Sequence, residues 1–304
     1  MRQTFKKLSE RFKKIFQYRI INPLIKFSCK NNIPFFLYRF LFFIEAKKRK
    51  FLKIKRYQSY FLLKELFDSI TIKWSFPSIH RSRSRSHYKY GLKSRAYELA
   101  ISYKLDQIVF EDNDIVIDCG ANYGDLWLYF KFKNKSINYL AIEPGKDELK
   151  TLKRNIKDLN QFNGNSKIYN FALGNENKET KFFYSPENAD SSIIKPIKFL
   201  STYKVKVKTL DTFFKEESLR NQKIKLLKLE AEGFEPEILY GGEKAIKNIE
   251  YIAADLGPER GVQKLVTLPD VTNFLLRKNF KIKSINEKRL TVLFENINLK
   301  THNI

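Results

Sequence analysis

The sequence predicts a doubly wound α/β fold over residues 91–304, preceded by a basic, aromatic-rich helical extension over residues 1–90. Three observations predict it. Residues 114–143 read as strand, glycine loop, helix and strand, the βαβ unit of a parallel sheet. Strand-length apolar runs and helical stripes spaced by three and four then alternate as far as Asp255. Two adjacent strand-like runs, 279–285 and 289–295, close the chain and suit an antiparallel edge element on an otherwise parallel sheet.

With 304 residues, 43% of them apolar, the chain can hold one large domain, or a domain of about 200 residues with an appendage. The formal net charge of +25 is unevenly placed: residues 1–100 hold 25 Lys and Arg against 5 Asp and Glu, the rest 33 against 28. The basicity therefore belongs to the N-terminal third. Two cysteines, Cys29 and Cys119, build no disulfide framework and suit a reducing compartment. The charged start is not followed by an uninterrupted apolar run and a small-residue cleavage site, so a cytoplasmic location is expected, peripheral to the inner membrane face if the extension binds lipid.

Within the extension, residues 33–44 are the most apolar stretch; at twelve residues, with Arg39 in the middle, they are too short for a bilayer core, which takes about 20. Lys47, Lys48, Arg49, Lys50, Lys53, Lys55 and Arg56 follow at once. An apolar aromatic patch with a polybasic flank suits an anionic membrane interface, so peripheral membrane contact through residues 1–56 is expected. A helical hairpin packed as a lid fits the same composition. Tyr60, Leu63, Phe67 and Ile70, spaced 3, 4, 3, predict an amphipathic helix over residues 58–70. The Arg-Ser alternation at 81–86 reads as a solvated connection, flanked by His80 and His87, and residues 93–108 read as a helix leading into the sheet.

Ile115, Val116 and Ile117 form a β-branched run of the kind buried on both faces of a sheet, ending at Asp118. Gly120 and Gly124 bracket a tight loop, where only glycine allows close backbone approach or positive φ without steric cost. The apolar run Leu126–Phe130 then suits a buried helix whose N-terminus faces a ligand. The next strand, Tyr139–Ile142, closes on Glu143, an acid placed to accept hydrogen bonds from two ribose hydroxyls. Asn122 and the missing third glycine break the dinucleotide fingerprint, which favours an adenosyl ligand over a pyrophosphate.

Leu149, Leu152, Ile156 and Leu159 mark the following helix, and 167–173 the third strand. Residues 180–184 and 204–208 alternate as a β-hairpin, with Asn188–Ser192 in its loop. A strand at 225–229 ends at Glu230. Gly233 and Gly241-Gly242 flank a helix with Pro236 in its first turn, a strand covers 250–255, and Thr267 and Pro269 start the last helix, through Val271, Phe274 and Leu275.

Five blocks in order carry a resemblance: Asp118-Cys119-Gly120-Ala121-Asn122-Tyr123-Gly124, Ala141-Ile142-Glu143-Pro144, Asn170-Phe171-Ala172-Leu173-Gly174, Thr209-Leu210-Asp211, and Leu227 to Glu235. Over roughly residues 114–275 the chain resembles the FkbM family of S-adenosylmethionine-dependent O-methyltransferases. It departs at Lys228-Leu229-Glu230, where the family usually carries Lys-Ile-Asp, so this carboxylate reaches one methylene further. The resemblance implies a class I methyltransferase (Rossmann-like) seven-stranded sheet and S-adenosylmethionine as cofactor. Asp118, Gly120, Ala121, Asn122, Gly124, Glu143 and Pro144 would bind it, with Asn170 and Ala172 near the adenine. It also implies a hydroxyl-bearing acceptor, here expected to be a saccharide carried on a lipid or polymer.

Methyl transfer to a hydroxyl is an in-line displacement that needs alignment and a proton acceptor. Glu230, Glu232 and Asp255 follow the fourth and fifth strands and are the catalytic candidates, since clustered acids raise one another's pKa. Turn formation and helix-dipole stabilisation are the structural alternatives for this cluster, Glu235 included. Three histidines, His80, His87 and His302, and no Cys-x-x-Cys pair give no reason to expect a metal. Two rivals stand beside this reading. The basic N-terminus would suit an RNA methyltransferase, although nucleic acid is the less favoured partner because residues 33–44 are too apolar for a simple RNA arm. The other is a non-catalytic membrane-associated protein that retains the fold.

Overall fold

The computed structural model describes residues 36–37, 39–40, 53–57, 60–67, 70–77, 87–159, 165–185 and 191–299. The expectations for residues 1–35 and 41–52, for the Arg-Ser run with His80, for His302 and for Asn188–Asp190 lie outside these. Two compact units divide the chain, Met1–Gly91 and Leu92–Ile304. No described helix is long and apolar enough to cross a membrane.

The first unit contains an antiparallel meander, β1 (Lys53–Arg56), β2 (Tyr60–Phe67) and β3 (Ile70–Pro77). This corrects the helix expected over 58–70. The reason lies in the neighbouring segment: Ile72, Trp74 and Phe76 recur with period two and stand directly opposite Glu65, Leu63 and Phe61. All six are buried, so cross-strand pairing overrides the 3, 4, 3 spacing. Tyr88 packs on this face, its ring 6.5 Å from Trp74 and 6.0 Å from Phe76.

The second unit begins with α1 (Leu92–Ser102) and a 3-10 turn, Leu105–Gln107, separated by Lys104 in the left-handed region at φ 59°. There follow β4 (Ile115–Cys119), α2 (Asp125–Phe132), β5 (Asn138–Ile142), α3 (Lys146–Leu159), β6 (Asn165–Tyr169), β7 (Ala172–Gly174), β8 (Lys178–Tyr184) and β9 (Ser201–Thr209). Then come α4 (Leu210–Glu216), β10 (Ile224–Leu229), α5 (Glu235–Tyr240), β11 (Ile249–Asp255), β12 (Pro258–Arg260), β13 (Leu265–Val266), α6 (Leu268–Arg277), β14 (Phe280–Asn286) and β15 (Thr291–Asn296). Seven strands form the main sheet in the order β14-β15-β11-β10-β4-β5-β6, parallel except for β15, which runs antiparallel to both neighbours. This is the doubly wound, Rossmann-like sheet that the sequence predicts. Its central strands are apolar on both faces, as strands covered by helices on each side must be.

One detail differs from expectation. The third strand, expected over 167–173, splits after Tyr169, because the Asn170 side chain turns back to donate to the carbonyl of Glu143 at 3.0 Å. β7 then pairs parallel with β9, which also pairs with β8, in a separate three-stranded sheet. The last two strands, β14 and β15, form the antiparallel edge element that the sequence predicts. All six residues of β15 are buried, so it is paired on both sides, while lysine-bearing β14 takes the exposed edge, a common protection against edge-to-edge pairing.

The small sheet is pressed against the helical layer at Gly241, where a Cβ would sit 2.0 Å from the Gly174 carbonyl oxygen. Gly241→Ala should therefore lower the urea midpoint of the full chain by the equivalent of about 1–3 kcal/mol. Gly257→Ala, whose Cβ would meet Arg289 O at 3.3 Å, should shift it less. Equal midpoints would mean that the two backbones do not touch.

Candidate functional site

Neighbouring strands β4 and β10 lie at the topological switch point, β4 connecting outward to β5 and β10 to β11 on the other side. Their carboxyl ends open a crevice, the usual ligand position in such sheets. In register across it stand Asp118 opposite Lys228 and Cys119 opposite Leu229; the next row pairs Leu229 with Ala254, which brings Glu230 and Asp255 to the same edge.

The loop from Cys119 to Asp125 is built by close approach. Gly120 has φ 75°, and a Cβ there would lie 2.0 Å from the Glu230 carbonyl oxygen, so only glycine fits. Gly120 N and Ala121 N donate to Ile142 O at 3.0 and 3.1 Å. Asn122 is also left-handed (φ 51°); its N–H donates to Glu143 Oε2 at 2.8 Å while Gly145 N donates to Oε1 at 2.7 Å. Glu143 thus ties the first loop to the second. Burial and the charge of Glu148 push its carboxyl up to about 8, against the pull of those two amides and of Lys228. Asn170 braces the Glu143 and Pro144 carbonyls, and Ala172 is buried one strand away in β7. Gly124 precedes α2 with φ 91° and supplies no side-chain cap, which leaves a helix N-terminus facing the crevice.

Below the loop is a lattice of charges. Lys228, 4% exposed in its side chain, places Nζ 3.1 Å from Asp118 Oδ1 and 2.8 Å from Glu230 Oε2, and donates to Gly120 O at 2.9 Å. Asp118 also accepts from the Tyr139 hydroxyl. Burial alone would lower the Lys228 ammonium, but Asp118 and Glu230 outweigh it and hold its pKa above the ordinary lysine value. Arg289 reaches in from the turn between β14 and β15: Nη2 is 2.5 Å from Glu230 Oε1, Nε 2.6 Å from Asp255 Oδ2, and the guanidinium lies 5.1 Å over the Tyr103 ring. Burial would raise the Glu230 carboxyl, yet Lys228 and Arg289 prevail and hold it well below the usual carboxylate range. Asp255 is raised, by burial first, despite Arg289.

Three further acids line this edge. Glu232 sits in the turn after β10 at φ 52°, and its carbonyl accepts from the Ser192 hydroxyl at 3.3 Å. Glu235 is wholly buried and accepts from Ala231 N and Gly233 N; burial lifts it to about 7. Glu259 lies in β12, and burial, Asp255, Glu230 and Glu235 together push it up to about 8, with Arg289 opposing. Arg260 beside it anchors β12 on the loop after β10, donating to Gly233 O at 2.5 Å and pairing with Glu237 at 2.6 Å.

Of the residues singled out from sequence, Gly120, Ala121, Asn122, Gly124, Glu143, Pro144 and Asn170 meet around the first two strand ends, Asp118 lies beneath them, and Glu230, Glu232 and Asp255 stand across the crevice. Ala172 belongs to the neighbouring sheet. Lys228, Tyr103, Tyr139, Glu259 and Arg289 were missed. Lys228 stood inside a recognised block, whereas Arg289 carries no local motif and becomes visible only through the pairing of β15 with β11. Among the described residues no group of acids, histidines and cysteines has the arrangement of a metal site.

The loop also fits an adenosyl cofactor: the side-chain oxygen of Asn122 is a buried acceptor without a partner among the described residues, beside the glycine loop and an uncapped helix start. Residues 118–282 match the model of the methyltransferase FkbM domain. No curated protein matches the chain. Similar solved structures include magnesium protoporphyrin IX methyltransferase from Synechocystis PCC 6803 with bound SAM (8% identity, 70% of this chain and 83% of that one, TM-score 0.39). A SAM dependent methyltransferase from Aquifex aeolicus (11%, 67% and 97%, 0.39) and M. capricolum TrmK with S-adenosyl-homocysteine (12%, 66% and 68%, 0.35) are others.

Lys228→Met should leave Asp118 and Glu230 as facing acids with one cation fewer, and destabilise the chain by about 3–5 kcal/mol at neutral pH. In the wild type the depressed Glu230 stabilises the fold above its unfolded pKa and loses that contribution as pH falls through its folded value. In the variant Glu230 keeps Arg289 alone, so less of that contribution is left to lose as pH falls. The stability gap measured by denaturant titration should therefore shrink towards acid; a gap independent of pH would contradict the ion-pair lattice.

Proposed function

This chain belongs to the FkbM methyltransferase family, and we propose that it transfers the methyl group to a hydroxyl, in a saccharide carried on a lipid or polymer. S-adenosylmethionine is its cofactor, and when bound it supplies a methyl group on a sulfonium. In this reading the loop Gly120–Gly124, with the free Asn122 side-chain oxygen, lies against the methionine end, and Glu143 takes the ribose hydroxyls. Asp118 acts from beneath as a positioning residue, since its carboxylate is engaged by Tyr139 and Lys228. Pro144, Asn170 and Ala172 shape the adenine side.

The acid edge carries the proposal for the acceptor. An alcohol has a pKa far above neutrality and gains nucleophilicity by handing its proton to a nearby base in the transition state. Glu230 and Asp255 are both clasped by Arg289, which suits them to fix charge and orient an acceptor hydroxyl. Glu232 stands in the same turn as the hydroxyl-facing acid. Glu259 is the better proton acceptor: its carboxylate has no ion-pair or hydrogen-bond partner among the described residues, and burial, followed by its acid neighbours, keeps it basic. Labelled methyl incorporated from S-adenosylmethionine into the lipid-linked saccharide fraction supports this reading. Label found only in RNA would overturn it.

Glu143 gives the cofactor reading a pH signature. Its carboxyl lies above the ordinary range, so its ionised fraction grows as pH rises through about 8, and ribose hydroxyls donate to the ionised form. In the free protein the same upward shift makes Glu143 destabilising once pH exceeds its unfolded value. Calorimetric titration with S-adenosylhomocysteine should give roughly tenfold tighter binding near pH 9 than near pH 6.5. Glu143→Gln should bind more weakly and without that dependence; an equally steep profile in the variant would remove Glu143 from the ribose site.

A further inference from the structure

The β12–β13 ribbon is unlike the rest of the unit. Leu265 and Val266 are successive strand residues and so face opposite sides, yet they are 52% and 41% exposed, and Val262 in the turn is 58% exposed. A ribbon exposed on both faces stands away from the body, and a lone two-stranded hairpin has little stability of its own. Here the base is fixed by Arg260, whose Cα lies only 2.4 Å from where a Gly233 Cβ would be. The segment 193–200 runs beside it: Ile194 Cγ2 is 3.2 Å from the position of a Gly261 Cβ, and Ile197, Phe199 and Leu200 further along are exposed. Lys195, Lys198 and Lys264 interleave with these apolar residues, and neither 191–200 nor 261–266 contains an acid.

So concentrated a set of exposed apolar side chains marks a docking surface rather than scattered surface residues. Its lysines decide the partner. Lysine is depleted from the centre of protein interfaces, whereas aliphatic and aromatic side chains set among lysines are the composition that enters an anionic headgroup layer. Both limbs also spring from the site: Ser192 donates to Glu232 O, and Arg260 holds Gly233 O. We propose that the ribbon and the 193–200 segment form a membrane-seating rim, with Val262, Leu265 and Val266 in the headgroup layer and Lys195, Lys198 and Lys264 on lipid phosphates. This rim delivers the acceptor edge to the bilayer surface. The inference deepens the lipid-carried acceptor reading and rests on it.

Full-length chain carrying Leu265→Trp should show a blue-shifted emission, quenched by brominated acyl chains, on addition of phosphatidylcholine vesicles containing phosphatidylglycerol. Vesicles of phosphatidylcholine alone should change it little. The native Trp74 and Trp127 are fully buried and give a constant background. Val109→Trp, exposed at the opposite, amino-terminal end of β4, should not respond. The double variant Val262→Glu, Leu265→Glu should lose several-fold in vesicle co-sedimentation while binding S-adenosylhomocysteine like wild type. Three results would overturn the rim: no sedimentation of wild type, sedimentation without a response at 265, or self-association abolished by the double variant with vesicle binding intact. Vesicle insertion without S-adenosylhomocysteine binding would instead preserve the rim and defeat the methyltransferase reading.

Discussion

The ammonium of Lys228, buried between Asp118 and Glu230, is the interaction on which the site depends. Removing an ion from water costs several kcal/mol, so such a charge persists only with close partners and complete hydrogen bonding. Lys228 has both, and the partners come from different places: Asp118 from β4, Glu230 from the end of β10, and a carbonyl from the glycine loop itself. Glu230 passes the constraint to Arg289 and so to Asp255 at the end of β11. The left-handed residues Gly120, Asn122 and Gly124 are therefore held by surroundings that over-determine them, the condition under which an unusual backbone persists at a functional site.

The same lattice sorts the acids. Glu230, held by both Lys228 and Arg289, becomes a stronger acid and is suited to permanent charge, whereas burial still raises Asp255, which has Arg289 alone. Those left to burial and to one another, Glu235, Glu259 and Glu143, become weaker acids and change protonation nearer neutrality. Sequence proximity does not separate the two groups. Glu230 and Glu235 are five residues apart and shift in opposite directions, because one meets Lys228 and Arg289 while for the other burial outweighs the amides it accepts from.

What was legible in the sequence was what is local. The β-branched run before Asp118, the spacing of Gly120 and Gly124 and the acid at 143 placed the switch point and one wall of the crevice, because strand, turn and helix start are decided by neighbours along the chain. The helical reading of 58–70 failed where a neighbouring strand, Ile70–Pro77, outweighed the segment's own periodicity. The third strand was drawn too long because the break after Tyr169 is made by an Asn170 side chain reaching across to the β5 loop. Arg289 and Glu259 were invisible for a related reason: their roles come from pairing and packing between segments distant in sequence.

The two halves of the site are also built differently. The wall proposed for the cofactor comes from one continuous βαβ unit and is rigidified by hydrogen bonds within it, Gly120 and Ala121 to Ile142 O and Asn122 N to the Glu143 carboxylate. The wall proposed for the acceptor is assembled from separate pieces: the turn after β10, the end of β11, the β12–β13 ribbon, the 193–200 segment and the β14–β15 turn. The Gly120–Glu230 backbone contact, the Glu230 N–H donating to Cys119 O and Lys228 join the walls. A change in Val262 or Leu265 touches none of these joints, so the proposed acceptor recognition and membrane seating can vary without disturbing the glycine loop. A change at Lys228 or Gly120 cannot be confined in this way, since each belongs to both walls at once.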